Sequence, residues 1–106
     1  MKPQSIQELI ASLSGPWRPQ DVVGANDSIL RLARLEGAFD WHHHDEDELF
    51  ICWDGRFRIE LEGQEDVPMT PGDVFVVPRG MPHRPVAGER AHVLMLERPE
   101  TLQYGN

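Results

Sequence analysis

Cysteine and basic residues are the scarce components of this chain. Cys52 is the only cysteine, so no intramolecular disulfide can form, and a reducing, cytoplasmic compartment is expected. Ten Lys and Arg stand against eighteen Asp and Glu, a formal net charge of −8. That balance argues against nucleic acid or an anionic membrane as partner, because both need a basic surface. No apolar run approaches the roughly 20 residues of a membrane span, and Met1-Lys2-Pro3-Gln4 lacks the apolar stretch of a secretory signal. There is no internal repeat, no low-complexity tract and no linker. A Ser-His-Asp order, a phosphate-cradling glycine loop and a zinc-ribbon cysteine set are also missing, which removes the chemistries those patterns carry. With 106 residues the chain is expected to form one domain, 1–106, with a modest core.

What is present falls into two regimes. Ser5-Ile6-Gln7-Glu8 reads as a capping box, and Ile6, Leu9, Ile10 and Leu13 follow at helical spacing. A short amphipathic helix over about 5–14 is predicted, stopped by Ser14-Gly15-Pro16. Beyond it the period is two. Ile29 to Leu35 alternates loosely, with Arg31 and Arg34 as the polar members, and Phe57, Ile59 and Leu61 alternate cleanly with Arg58, Glu60 and Glu62. Val74 to Val77 and Ala91 to Leu96 read as further strands. Asp54-Gly55, Glu62-Gly63, Pro71-Gly72-Asp73, Pro78-Arg79-Gly80 and Ala87-Gly88 mark turns between them. Many short strands with Gly and Pro turns predict an all-β barrel or sandwich. The segment 49–53 is apolar on both faces, the mark of a central strand.

Four residues carry the chemistry: His42, His44, Glu48 and His83. On an extended segment His42 and His44 point to one face and His43 to the other. Glu48 follows after three residues and offers a hard oxygen from the next strand, and His83 comes after the tight turn Pro78 to Pro82. Three nitrogens and one oxygen suit one divalent transition metal per chain, Fe, Mn, Ni or Zn. Such a set leaves positions free for substrate or dioxygen on an ion that prefers five or six ligands. The contiguous Asp45, Glu46, Asp47 and Glu48 would draw cations to this site and repel anions. Glu46 or Asp47 could stand in for Glu48 if the turn is built differently.

These residues resemble a known family. His42-x-His44-x-x-x-Glu48-x-x-x-x-x-x-Gly55 is similar to the first cupin motif from its first histidine onward. Gly72-x-x-x-x-x-Pro78-x-Gly80-x-x-His83 is similar to the second. The likeness covers roughly residues 16–104. It implies a cupin double-stranded β-helix, jelly-roll-like, with the barrel over about 22–98, the metal in its mouth and frequent homodimerisation. Two departures stand out. Gly37 is one residue too close to His42 for the first motif, and counting from it selects His43 and Asp45 instead. The register through His42 and His44 keeps two nitrogen ligands and the correct count to Glu48 and Gly55. Ala87 stands where asparagine often closes the second motif.

Other residues draw plainer readings. His92 reads as a structural histidine and Cys52 as a small buried hydrophobe, with parity that could bring it near the metal. Trp41, Trp53, Phe50, Phe57 and Phe75 read as core or dimer interface. Arg79 and Arg84 could neutralise a substrate carboxylate, with surface solvation as the plainer role, and Trp17 could pack the N-terminal segment over the barrel. The expected function is a metal-dependent enzyme acting on a small polar molecule by oxygenase, isomerase or lyase chemistry. A non-catalytic small-molecule- or metal-binding and sensing module is the second reading. A purely structural metal is the third.

Overall fold

Alternation in the sequence becomes alternation in burial. Along Phe57-Arg58-Ile59-Glu60-Leu61 the three apolar side chains are buried while Arg58 is exposed and Glu60 half-buried, as a strand with one face on a core requires. The computed structural model describes residues 1–106. It holds one helix, α1 (Ile6–Ser12), and seven strands: β1 (Gln20–Ala25), β2 (Ser28–Ala38), β3 (Glu48–Asp54), β4 (Phe57–Leu61), β5 (Val67–Met69), β6 (Val74–Val77) and β7 (His83–Glu97). Strand order is β1-β2-β7-β3-β6, with β4 on β7 and β5 on β4, and every pairing is antiparallel. The architecture is the expected all-β one with a short N-terminal helix. No helix is long and apolar enough to cross a membrane.

The predicted central strand is central: β3 pairs with β6 on one edge and β7 on the other. The register Phe50↔Met95 and Cys52↔Val93 sets the inner face of β3 against that of β7, and Arg31↔Met95 and Ala33↔Val93 carry it on to β2. Phe50, Cys52, Ile59, Met69, Val77 and Val93 form the heart of the core. Leu49 lies on the outer face between Val76 and Leu96, and Val74, Val76, Leu96 and Trp53 are exposed.

The helix is shorter than the sequence predicts. Ser5 caps it by accepting from the Glu8 amide at 3.2 Å, but Leu13 is already extended with ψ 137°, two residues before Gly15-Pro16. Ala87-Gly88 is not a turn. β7 runs through it, and Gly88, Glu89 and Arg90 stand opposite Glu36 alone, a surplus of two absorbed by the register shift between Leu35↔Ala91 and Gly37↔Ala87. Two strands lay hidden in the sequence. Gln20–Ala25 lacks apolar alternation, and Val67–Met69 contains Pro68, which is tolerated because β5 is an edge strand paired only with β4.

Candidate metal centre and its pocket

Phe39 to Asp47 connects β2 to β3 without becoming a strand, so the two histidines sit on an extended connection rather than the strand expected. Alternation survives there. His44 is buried, His42 half-buried and His43 exposed. His42 and His83 exchange backbone hydrogen bonds, each amide donating to the other's carbonyl at 3.1 and 2.9 Å, and their rings lie 4.4 Å apart. Glu48 enters as the first residue of β3. One potential ligand atom from each of His42, His44, Glu48 and His83 lies within 4.8 Å of the others. His43 and Asp45, the alternative register, are both exposed. Asp47 is engaged elsewhere, accepting from the Arg79 amide at 2.8 Å.

Hydrogen bonding fixes which ring nitrogens face the cluster. Nδ1 of His42 lies 2.8 Å from the Asp40 carbonyl, and Nδ1 of His83 lies 2.8 Å from the Met81 carbonyl. A carbonyl only accepts, so both Nδ1 atoms carry hydrogen and each neutral ring keeps its lone pair on Nε2. His83 Nε2 then faces Glu48 Oε1 at 3.3 Å, and His44 Nε2 stands 3.3 Å from the same oxygen with no hydrogen-bond geometry to any partner. Two lone-pair atoms facing each other in a buried site call for a proton or a cation between them. The donor set is therefore consistent with a metal site. Burial, with the neighbouring His83 and His44 rings, holds His42 below the ordinary imidazole range. Burial opposes ionisation of Glu48, but hydrogen bonds from His44 and His83, made when a proton stands on their Nε2 atoms, outweigh it and hold the carboxyl well below the usual range.

A cavity of about 290 Å³ adjoins the cluster and is lined by two of its members, His42 and Glu48. Its other walls contain residues the sequence reading did not assign to the site: Arg31, Glu97, Thr101, Trp17 and Phe39. Arg31, read only as a polar member of a loosely alternating strand, points inward, where Nη1 donates to Glu97 Oε1 at 2.9 Å and to the Thr101 carbonyl at 3.3 Å. Its Nη2 donates to the Pro99 carbonyl and its Nε to Asp21 Oδ1. Glu97 is raised to about 8 by burial first and by Glu48 next. When both carboxyls are ionised, Glu97 Oε2 has no donor facing it, and protonation of Glu97 lets the pair share one proton. Strand parity was the overlooked signal, since Arg31 shares a face with Ala33 and Leu35, and Glu97 with Met95 and Val93.

Aromatic rings and the chain after β7 complete the enclosure. Trp17, held in the left-handed region at φ 59°, donates Nε1–H to the Glu36 carbonyl at 2.9 Å and packs 4.9 Å from Phe39. Tyr104 stacks on Phe39 at 5.0 Å. The Asn106 amide donates to the His43 carbonyl, and its side chain accepts from the Asp45 amide. Phe50 is both core and cavity wall, a role beyond the one read from sequence. Cys52 faces inward but its thiol lies against the Asp54 and Gly55 carbonyls, away from the cavity, with burial pushing it up. His92 is structural, 2.7 Å from Asp54. Arg84 binds Glu60 and covers Trp41, and Arg79 is exposed, so neither enters the cavity.

The arrangement is an antiparallel barrel with a three-histidine, one-carboxylate cluster, consistent with a metal site, beside a cavity. The chain belongs to the cupin family: the cupin-domain model matches residues 29–97. It is 42% identical over 60 residues to the uncharacterised protein YdbB of Bacillus subtilis, covering 56% of this chain and 53% of that one. It is 39% identical over 80 residues to the acireductone dioxygenase of Gluconacetobacter diazotrophicus, covering 72% of this chain and 45% of the relative. The chain thus spans about half the length of the curated relatives it matches. A cupin-2 domain containing protein from Shewanella frigidimarina superposes with TM-score 0.84 at 29% identity, covering 89% of this chain and 92% of that one. The fold is the cupin double-stranded β-helix.

Proposed function

We propose that His42, His44, Glu48 and His83 hold one divalent transition metal, Fe, Mn, Ni or Zn, within a single cupin domain over residues 1–106. The protein is then a metal-dependent enzyme that acts on a small molecule seated in the adjoining cavity. The observation that carries this reading is the commitment of both Nδ1 atoms, on His42 and His83, to backbone carbonyls. It leaves Nε2 lone pairs converging on a buried carboxylate, and a carbonyl holding the far ring nitrogen is what orients a metal-bound histidine. The metal would supply a Lewis acid or a dioxygen site, suited to oxygenase, isomerase or lyase chemistry. The protein's own part is to orient the ligand atoms, exclude water with Trp17, Phe39 and Phe50, and place Glu97 beside Glu48. The cavity at the cluster favours an open coordination position over a purely structural ion, and the dioxygenase name of one relative agrees with this. A sensing module is the alternative that the same cavity allows.

The lone buried thiol of Cys52 suits a cytoplasmic setting. A homodimer would cover the exposed outer row Val74, Val76 and Leu96, and sedimentation of Val76→Glu against the parent tests that. Elemental analysis tests the metal: about one ion per chain is expected in the parent and in His43→Ala, with loss in His44→Ala and His83→Ala. Equal loss in His43→Ala would overturn the ligand set. Cobalt-loaded protein then separates an open site from a closed one. Its visible bands should shift on adding azide, and unchanged bands would favour a structural ion.

A further inference from the structure

His44 is the histidine of the cluster whose far ring nitrogen nothing holds. The Nδ1 atoms of His42 and His83 are committed to the Asp40 and Met81 carbonyls, whereas neither ring nitrogen of His44 has a hydrogen-bond partner. Its ring is nevertheless buried, at 2% exposure, and faces Glu48 Oε1 at 3.3 Å. With no hydrogen bond on the ring, its direction rests on packing and on the backbone that carries it.

That backbone is not in a strand. Residues 43–47 lie between the bridge from His42 to His83 and the start of β3, so no ladder orders them. Along an extended segment, the carbonyl before a residue and the amide after it point to the same edge. Around His44 those groups are the His43 carbonyl and the Asp45 amide, and Asn106 takes both. Its amide donates to the His43 carbonyl at 2.9 Å, and its Oδ1 accepts from the Asp45 amide at 3.0 Å. One residue thus imitates the paired exchange of an antiparallel neighbour. The Gly80 amide donates to the carbonyl of His44 itself at 2.8 Å.

Gly105 allows this close approach. Its φ is +86°, and an added Cβ would overlap the His43 carbonyl oxygen and lie 3.0 Å from the His42 Cβ. A side chain there would push the segment off the connection that carries both histidines.

We propose that Asn106 is a positioning residue for His44. It brackets the two peptide groups around that residue, and so aims the His44 ring at Glu48. The Asp40 and Met81 carbonyls do the same for the rings of His42 and His83. What the ring is aimed to bind rests on the metal-site reading; the bracketing itself does not.

Zinc affinity of the full chain, read by competition with a coloured chelator, is the first test. Asn106→Ala is expected to weaken zinc by about tenfold, the lower end of the loss when a group that orients a metal ligand is removed. Gly105→Ala should weaken it at least as much, and Asn106→Asp, which keeps an oxygen acceptor, should retain at least the parent's affinity. Gln103→Ala is the control. It cuts another hydrogen bond of the same segment, to the Trp17 carbonyl at 2.7 Å, without touching the His44 backbone, and should bind zinc as the parent does. Undiminished affinity in folded Asn106→Ala, or an equal loss in Gln103→Ala, would overturn the assignment. Carbon-13 relaxation of the histidine rings in metal-free protein is the second readout. The His44 ring should gain motion in Asn106→Ala while the His83 ring does not, and an unchanged His44 ring would also sink the proposal. If the parent takes up no zinc yet the variant shows this selective loosening, the metal reading fails and the positioning stands. Zinc bound equally by parent and Asn106→Ala means the reverse.

Discussion

Glu48 opens β3 and Glu97 closes β7, and the two carboxyls meet in the wall of one cavity. They divide the labour of one charge: the histidines favour ionisation of Glu48, while burial and that ionised neighbour keep the proton on Glu97 up to about 8.

Stability should record that division. A pKa raised on folding means the native state holds the proton more tightly than the unfolded chain. Its stabilising contribution is complete below the ordinary carboxyl value of 4.5 and lost as pH rises through about 8. Urea midpoints of metal-free protein are expected to fall across that window, and less steeply in Glu97→Gln. Parallel pH profiles for the two proteins would contradict the shared charge.

Acid should also release the metal. Each histidine must be neutral to bind, and an unperturbed imidazole titrates near 6.5. Metal content measured after desalting at stepped pH is expected to drop between neutrality and about pH 5. Content that stays flat over that range would rule out histidine ligation.

Gly55 closes a turn that tolerates no side chain. Its φ is +69°, and an added Cβ would lie 2.7 Å from the Arg90 carbonyl oxygen and 2.9 Å from the Ala91 Cα. Both are backbone atoms of β7, so relief requires that strand to move. Gly55→Ala should cost about 2 kcal/mol or more by denaturant midpoint, above the roughly 1–3 kcal/mol range's lower end for strain alone. Gly63→Ala is the control, with a similar φ of +71° and open space around it, and should cost less. Equal losses would mean that the close approach to β7 is immaterial.

Arg31 fastens the chain after β7 to the barrel through the Pro99 and Thr101 carbonyls. Arg31→Met should speed amide exchange over residues 101–106 while leaving the β4–β5 hairpin protected. Unchanged exchange in that segment would show that Tyr104 and Asn106 suffice to hold it.

The legible part of the site was its local part. His42, His44 and Glu48 lie within seven residues, so an alternating pattern was enough to group them, and His83 was flagged by the Pro and Gly turn before it. Arg31, Glu97 and Thr101 are brought together only by the β2–β7 pairing and the return of the chain after it, which no short window contains. The same limit explains the strands. Phe57–Leu61 announced itself by alternation, whereas Gln20–Ala25 is a strand because β2 offers it an edge, and β7 continues through Ala87-Gly88 because its neighbours absorb the extra residues.

One consequence concerns a chain without cross-links. His83 and Glu48 are 35 residues apart in sequence and 3.3 Å apart in space, and Glu97, at the far end of the same strand as His83, meets that same carboxyl. An ion shared by His83 and Glu48 would close a long loop of chain, and closing a loop removes conformational freedom from the unfolded state. A single thiol cannot staple this fold, but a reversible coordinate clasp can. Its strength would then follow the supply of metal rather than the redox state of the surroundings, visible as a melting temperature that climbs with added zinc.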